Sequence, residues 1–369
     1  MTTADRRVRL GIIGLGLITQ SRHLPSLSRQ RERFELVRVC DLSAEVARGV
    51  AAAHGGIPWG TSAAELLADP EVDAVLICTP GAHSALARAA LERGKHVFAE
   101  KPYAYDPAVA EADAAYAAEH RLVLQVGYMK MYEPAVAAAR AAFGEIGPVR
   151  VARLTVLHPS DERQTTALQL LRGADVDPET LAEATAANRA EVAAALAPHP
   201  GADPMLVRNV LFGSVCHDIA LLRALFPGET ADVLAAVPDA PSAQRIEPPR
   251  LQLTGRLSGG ASWTLSWNWL ADFPEYREWV EVLGDRGSVR IELPAPYGGA
   301  PSAIVAITRQ GADGGVEERR IDPGGPDAFE RELVAFAASV RSGAPVLSDA
   351  RGAAADARLL LTTGALLAD

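Results

Sequence analysis

The chain has 369 residues, 49% of them apolar, and sets 36 Lys and Arg against 46 Asp and Glu for a formal charge of −10. That length accommodates two domains, and the acidic balance offers no electrostatic footprint for nucleic acid or an anionic membrane. Cys40, Cys78 and Cys216 stand far apart, which excludes a disulfide framework and a cysteine zinc site, and no metal is expected.

The opening MTTADRRVRLGIIGLG has no signal-peptide cleavage pattern, and no run approaches the ~18 uninterrupted apolar residues of a membrane helix. A cytoplasmic protein is expected. From residue 8 to 127 the runs RLGIIG, ELVRVCD, VDAVLICTP, KHVFAE and LVLQVGY alternate with helix-forming stretches such as SAEVARGVAAAH and SALARAALERG. Near-continuous apolar strands joined by helices predict a doubly wound parallel sheet of Rossmann type over residues 1–127. Ligands of such sheets bind beyond the carboxyl ends of the strands.

Within GIIGLGLIT, Gly14 and Gly16 follow the first strand, and Leu17 and Ile18 open a helix whose N-terminus suits a pyrophosphate. Thr19 stands where the fingerprint has its third glycine. Asp41 ends the second strand, 27 residues after Gly14. A carboxylate there accepts from a ribose and repels a 2′-phosphate, favouring NAD over NADP. Arg38 or Arg48 near a phosphate keeps NADP open, and the lesser alternative for Asp41 is a cap on the helix that starts at Ser43. His23 on the first helix reads as structural.

Thr79, Pro80 and His83 follow the third run and face the cofactor side of the sheet. The fourth run ends in AEKPYAY, with Glu100, Lys101 and Pro102 at the strand tip. Only three residues are lysine, Lys95, Lys101 and Lys130, and a lysine kept in an arginine-rich chain suits a site whose proton must leave. Tyr128, Lys130 and Tyr132 follow the last Rossmann strand as substrate-side candidates, Lys130 equally as an ion-pair partner.

Residues 128–369 read as a second, α+β domain for substrate binding and oligomerisation. VRVARLTVLHP, RLQLTGRLSGGASWTLSWNWL and EYREWVEVLGDRGSVRIELP are long strands joined by Gly-rich turns, which predicts a large, open, mostly antiparallel sheet. Trp263, Leu265, Trp267 and Trp269 alternate along one strand and share a face. A helical insertion at about 161–200 includes a helix begun by Pro178 and capped by Asp177. Two closing helices occupy 327–368. An open sheet of this size exposes apolar area, so a homodimer or homotetramer is expected.

GLGLITQSRHLPSL, VDAVLICTPGAHSALARAALERGKHVFAEKP, VGYMKMYEPAV, GSVCHDIALLRALF and FERELVAFAASVRSG together resemble the glucose-fructose oxidoreductase, inositol dehydrogenase and MocA family. The resemblance spans nearly the whole chain, and RGKHVFAEKP is its most specific block. It implies an NAD(P)-dependent oxidoreductase that moves hydride between nicotinamide and a secondary alcohol or ketone of a sugar, cyclitol or nucleotide sugar. It also implies that Lys101 belongs to the catalytic centre, positioned by Glu100 and by Pro102 across a bond that is often cis in relatives. His217, followed by Asp218, matches the histidine of the second domain that faces the substrate oxygen. Two positions depart from the family pattern: Gly213 stands four residues before that histidine where relatives have Asp, and Met131 replaces an Arg.

Alcohol oxidation requires the hydroxyl proton to leave as hydride departs. Lys101 and His217 are the groups expected at the reacting oxygen, Lys101 as first choice for the proton. An amine base needs burial or nearby positive charge to work near neutrality, whereas imidazole titrates there unaided. The departures keep two alternatives open: a nicotinamide-binding redox sensor without turnover, and an enzyme that uses NAD transiently for elimination or glycoside cleavage.

Overall fold

The computed structural model describes residues 6–238, 249–297 and 303–368. Strands β1 (Val8–Ile13), β2 (Phe34–Cys40), β3 (Trp59–Gly60), β4 (Ala74–Ile77), β5 (His96–Glu100) and β6 (Leu124–Gly127) come first. Between them lie helices α1 (Leu24–Arg29), α2 (Ala44–Ala53), α3 (Ala63–Ala68), α4 (Ser84–Leu91) and α5 (Pro107–Glu119). A π-helical turn, Thr19–His23, leads into α1.

After a 3-10 turn at Met129–Tyr132 come α6 (Pro134–Ile146), β7 (Val149–His158), α7 (Asp161–Thr165), α8 (Pro178–Leu196) and α9 (Pro204–Leu206). A π-helical stretch, Val207–Val215, joins α9 to α10 (Cys216–Leu225). Seven strands follow: β8 (Ala231–Pro238), β9 (Arg250–Leu257), β10 (Ser262–Trp269), β11 (Arg277–Gly284), β12 (Gly287–Leu293), β13 (Ile304–Gln310) and β14 (Val316–Ile321). Helices α11 (Ala328–Ser342) and α12 (Ala350–Leu366) close the chain.

Two compact units result. The first comprises Met1–Met129, Leu168–Ala197 and Phe329–Arg358; the second comprises Lys130–Ala167, Pro198–Ala328 and Leu359–Asp369. Most of the insertion and most of α11 therefore fall in the first unit, where contiguous reading of the sequence put both with the second domain.

The first unit is built on a six-stranded parallel sheet in the order β3-β2-β1-β4-β5-β6. All four residues of β4 are buried, as expected at the centre of a sheet covered on both faces. Strand order reverses between β1 and β4, which marks the switch point where such sheets hold ligands. Short polar residues start the helices: the Ser43 hydroxyl accepts from Val46 N–H at 3.1 Å and Asp106 accepts from Ala108 N–H at 2.8 Å. Leu333, Phe336 and Ala337 from α11 join Leu10, Ile12, Val39, Leu76 and Phe98 in one core. Burying a side chain such as Phe336 contributes on the order of 2–3 kcal/mol.

The second unit holds an eight-stranded sheet in the order β14-β13-β12-β11-β7-β10-β9-β8. Its pairs are antiparallel except β7 with β10. One face is apolar and buried: Leu154 and Val156 on β7, Leu251 and Leu253 on β9, Trp263, Leu265 and Trp267 on β10. Gly255 is obligatory there, since a Cβ would overlap the Trp263 ring. The other face carries Arg153, Thr155, Gln252, Thr254, Thr264 and Ser266, so it is more polar than an open apolar sheet. The helical run Pro204–Leu225 is long and apolar enough to cross a membrane by length and composition, yet most of it is buried inside the protein.

Candidate active site

The loop after β1 is shaped by its glycines. Gly14 lies at φ +90°, and a Cβ there would sit 2.7 Å from the carbonyl carbon and oxygen of Cys78, so only glycine serves. At Gly16 a Cβ would meet nothing within 4 Å. That open space, with helix N–H groups at Ile18 that no side chain caps, suits the close approach of a pyrophosphate. Thr19 is wholly buried and its Oγ1 donates to Gly14 O at 2.7 Å. A residue that weakens the glycine fingerprint in sequence thus braces the loop.

At the end of β2, Asp41 Oδ2 accepts from Leu15 N–H at 2.7 Å and Oδ1 from Ser43 N–H at 2.9 Å. Ser43, not Asp41, caps α2. Each Asp41 oxygen keeps a lone pair for a further donor, which fits a ribose hydroxyl. The Arg38 guanidinium pairs with Asp69 at 3.1 Å and with Glu65 at 3.6 Å.

The ends of β4 and β5 meet at His83. Its Nδ1 lies 2.8 Å from Pro102 O and its Nε2 2.8 Å from Thr79 O. Burial lowers the imidazole pKa, and a neutral ring donates to one of these carbonyls at a time. Main-chain N–H groups of His83 and Ser84 both donate to Tyr103 O at 2.9 Å. The ring therefore ties the Thr79-Pro80 turn to the Lys101-Pro102 corner, whose peptide bond is cis.

Glu100 is buried beneath that corner. One carboxylate oxygen lies 2.8 Å from His23 Nε2, and the other accepts from Lys101 N–H at 3.1 Å. Burial raises its pKa, but the His23 bond and the charges of His23 and Lys101 outweigh this, and the net shift is downward. His23, Glu100 and Glu332 bring donor atoms within 4.8 Å of one another, all buried. Lys101 is half-buried and Tyr128 buried. Lys95, by contrast, donates to the carbonyls of Asp69 and Val72 at 2.7 and 2.6 Å and is structural.

The second unit places Lys130, His217 and Asp218 as follows. Lys130 Nζ, almost enclosed, lies 2.7 Å from Glu278 Oε1 and 3.9 Å from Asp218 Oδ1. Tyr276 donates to Glu278 Oε2 at 2.6 Å. Burial pulls the ammonium pKa down, and the Glu278 and Asp218 carboxylates more than reverse it. Asp218 is wholly buried, with Lys130 and Glu278 as the charged groups acting on its carboxyl. Burial lifts its pKa well above the usual range; Lys130 opposes and Glu278 adds to the rise. His217 stands beside it in the first turn of α10, directly after the π-helical stretch that contains Gly213. Nearby, His158 stacks on Trp269 at 5.0 Å and meets Tyr276 edge-on at 5.6 Å.

Of the residues expected from sequence, the first unit gathers Gly14, Gly16, Leu17, Ile18, Asp41, Thr79, Pro80, His83, Glu100 and Lys101 at its strand ends. The second unit brings Lys130 and Asp218 together, with His217 next in chain to Asp218. Sequence reasoning missed Glu278, in β11, and Tyr276, just before it, neither of which carries a local signal. It also missed the contact of His23 with Glu100, 77 positions apart.

Residues 8–128 match the family described as "Oxidoreductase family, NAD-binding Rossmann fold". The chain is 29% identical over 353 residues to an inositol 2-dehydrogenase of Saccharopolyspora erythraea, covering 91% of this chain and 86% of the relative. It is 34% identical over 146 residues to a scyllo-inositol 2-dehydrogenase (NAD(+)) of Bacillus subtilis, covering 39% of this chain and 42% of that one. Among solved structures, a 3-ketoreductase from Actinomadura kijaniata, in complex with TDP-benzene and NADP, shares its fold with a TM-score of 0.70 and 22% identity over 96% of each chain. With the glycine loop, Asp41 and the Glu100-Lys101-Pro102 corner in place, residues 8–128 match the NAD-binding Rossmann domain of this oxidoreductase family, and the chain along most of its length is similar to inositol 2-dehydrogenases.

Proposed function

We propose that this protein interconverts a secondary alcohol and its ketone on a sugar, cyclitol or nucleotide sugar, with NAD favoured as cofactor. The observation that carries the reading is the Glu100-Lys101-Pro102 corner: a buried carboxylate holds the Lys101 main chain while His83 holds the Pro102 carbonyl. Bound nicotinamide accepts or supplies the hydride. The protein's own residues handle the proton. Lys101 takes it from the substrate hydroxyl at Nζ, which guanidinium would not do. His217 shares the same oxygen as a hydrogen-bonding partner, and in reduction Lys101 gives the proton back. Asp218, buried beside Lys130, supports the turn that carries His217, and Tyr128 and Lys130 flank the substrate.

The chemistry of the relatives, two of them inositol dehydrogenases by name, supports the polyol class. Asp41, with no competing free guanidinium at Arg38, supports NAD. Half-buried Leu157 and Trp279 on the polar face of the second-unit sheet support self-association through that face as a homodimer or homotetramer, which light scattering checks. Activity is tested by following NADH and NADPH absorbance with a panel of inositols, free sugars and nucleotide sugars. Lys101→Met and Lys101→Arg are expected to reduce turnover by on the order of 100-fold or more while retaining cofactor binding. Undiminished turnover in both would remove Lys101 from the chemistry. Cofactor binding without turnover on every candidate would favour the sensor, and product formed without net NADH the transient use of NAD.

A further inference from the structure

The segment Leu168–Ala197 belongs to the first unit, and its contacts follow the carboxyl ends of three strands. After β1, the Gln20 amide pairs with the Leu171 main chain: Leu171 N–H donates to Oε1 at 2.8 Å and Nε2 donates to Leu171 O at 3.0 Å. The same Nε2 reaches Leu15 O in the glycine loop at 2.6 Å. After β2, Asp175 accepts from the Ser43 hydroxyl and, at 3.1 Å, from Glu45 N–H. Ala174 N–H in turn donates to the Glu45 carboxylate at 3.2 Å. Gly173 lies so near Ser43 that a Cβ would overlap its Oγ, and a Cβ on Gly49 would stand 3.0 Å from Leu171 Cδ1. After β4, a Cβ on Gly81 would lie 2.8 Å from Asn188 Cγ.

Ser43 is two residues past Asp41, at the corner of a Rossmann sheet that decides between a ribose hydroxyl and a 2′-phosphate. A 2′-phosphate needs hydrogen-bond donors there and is repelled by negative charge. Here the Ser43 hydroxyl and the Glu45 N–H already serve a carboxylate of the same chain. The Ser43 bond also draws the Asp175 pKa below the ordinary range, so that carboxylate is anionic at neutral pH. With Asp41 it makes a second negative group at the corner.

We propose that Asp175, delivered by the inserted segment, is a specificity-determining residue that excludes the adenosine 2′-phosphate and makes the site selective for NAD. This rests on the assignment of the strand ends of the first unit to the dinucleotide, and it assigns the cofactor preference to a residue outside the Rossmann sequence.

The test is binding without any sugar: the full-length chain is titrated against NADH and NADPH, and nucleotide fluorescence is read. Wild type is expected to hold NADH at least about tenfold tighter than NADPH. Asp175→Asn keeps the side-chain shape and removes the charge; Asp175→Ala also frees the two donors. The ratio of NADPH to NADH dissociation constants is expected to fall about fivefold in the first and about tenfold or more in the second, chiefly through tighter NADPH binding. Should Asp175→Ala melt, the isosteric variant carries the test. An unchanged ratio in the folded variants, or a wild type that prefers NADPH, would overturn the proposal. Wild type binding neither nucleotide would overturn it together with the cofactor assignment. A missing sugar substrate would leave these ratios as they are, so failure of the substrate reading is separately visible.

Discussion

His23 Nε2 lies 2.8 Å from Glu100 Oε1 with both side chains out of water, and the other Glu100 oxygen holds the main chain of Lys101. Removing one partner of a buried pair leaves the other uncompensated. His23→Ala is therefore expected to destabilise the first unit by about 3 kcal/mol or more, measured by chemical denaturation. Because Glu100 has a depressed folded pKa, its stabilisation is full above the ordinary carboxylate range and is lost as pH falls through the lower folded value. The variant should accordingly lose part of the acid-side dependence of stability that wild type shows.

The two loop glycines separate folding from binding. A methyl at Gly14 meets the Cys78 carbonyl at φ +90°, whereas a methyl at Gly16 meets nothing. Gly14→Ala should lower the melting temperature and abolish nucleotide binding together. Gly16→Ala should melt like wild type, within about 0.5 kcal/mol, and still bind NADH at least about tenfold more weakly because the added Cβ fills the approach. Thermal melts alongside NADH titration check both. Equal binding by Gly16→Ala would mean that the loop is not where the pyrophosphate rests.

What the sequence disclosed follows from which interactions are local. Strands β1, β2, β4, β5 and β6 are short, apolar and bounded by helices, so period and composition expose them, whereas the two-residue β3 has no period to read. Asp177 capping α8 was legible because cap and helix are adjacent. The return of Phe336 to the first core was not, since an amphipathic helix declares that it has a buried face and not what covers it. The same limit hid the site's partners: Glu278 reaches Lys130 across 148 positions, and Asp175 reaches Ser43 across 132. The glycines and the Lys101 corner were visible because distinctive residue types stand together in one short stretch. The groups that hold that stretch in place come from anywhere in the chain.

The Lys130, Glu278 and Asp218 cluster sets one ammonium against two buried carboxyl groups, and burial raises the Asp218 pKa well above the usual range. Asp218→Asn keeps the side-chain shape and removes the ionisable group whose charged form burial disfavours, so it should cost less than about 1 kcal/mol at neutral pH. Lys130→Met strips the cation from a nearly inaccessible Glu278 and should cost about 3–5 kcal/mol. The pH dependence carries the sign. A carboxyl whose folded pKa is raised contributes stability in full below the ordinary carboxylate range and loses it as pH climbs toward the folded value. Denaturant midpoints should therefore fall less steeply for Asp218→Asn than for wild type as pH rises from the ordinary carboxylate range toward the folded pKa. Parallel slopes, or a large neutral-pH loss in Asp218→Asn, would show that Asp218 is ionised and that Lys130 balances both carboxylates.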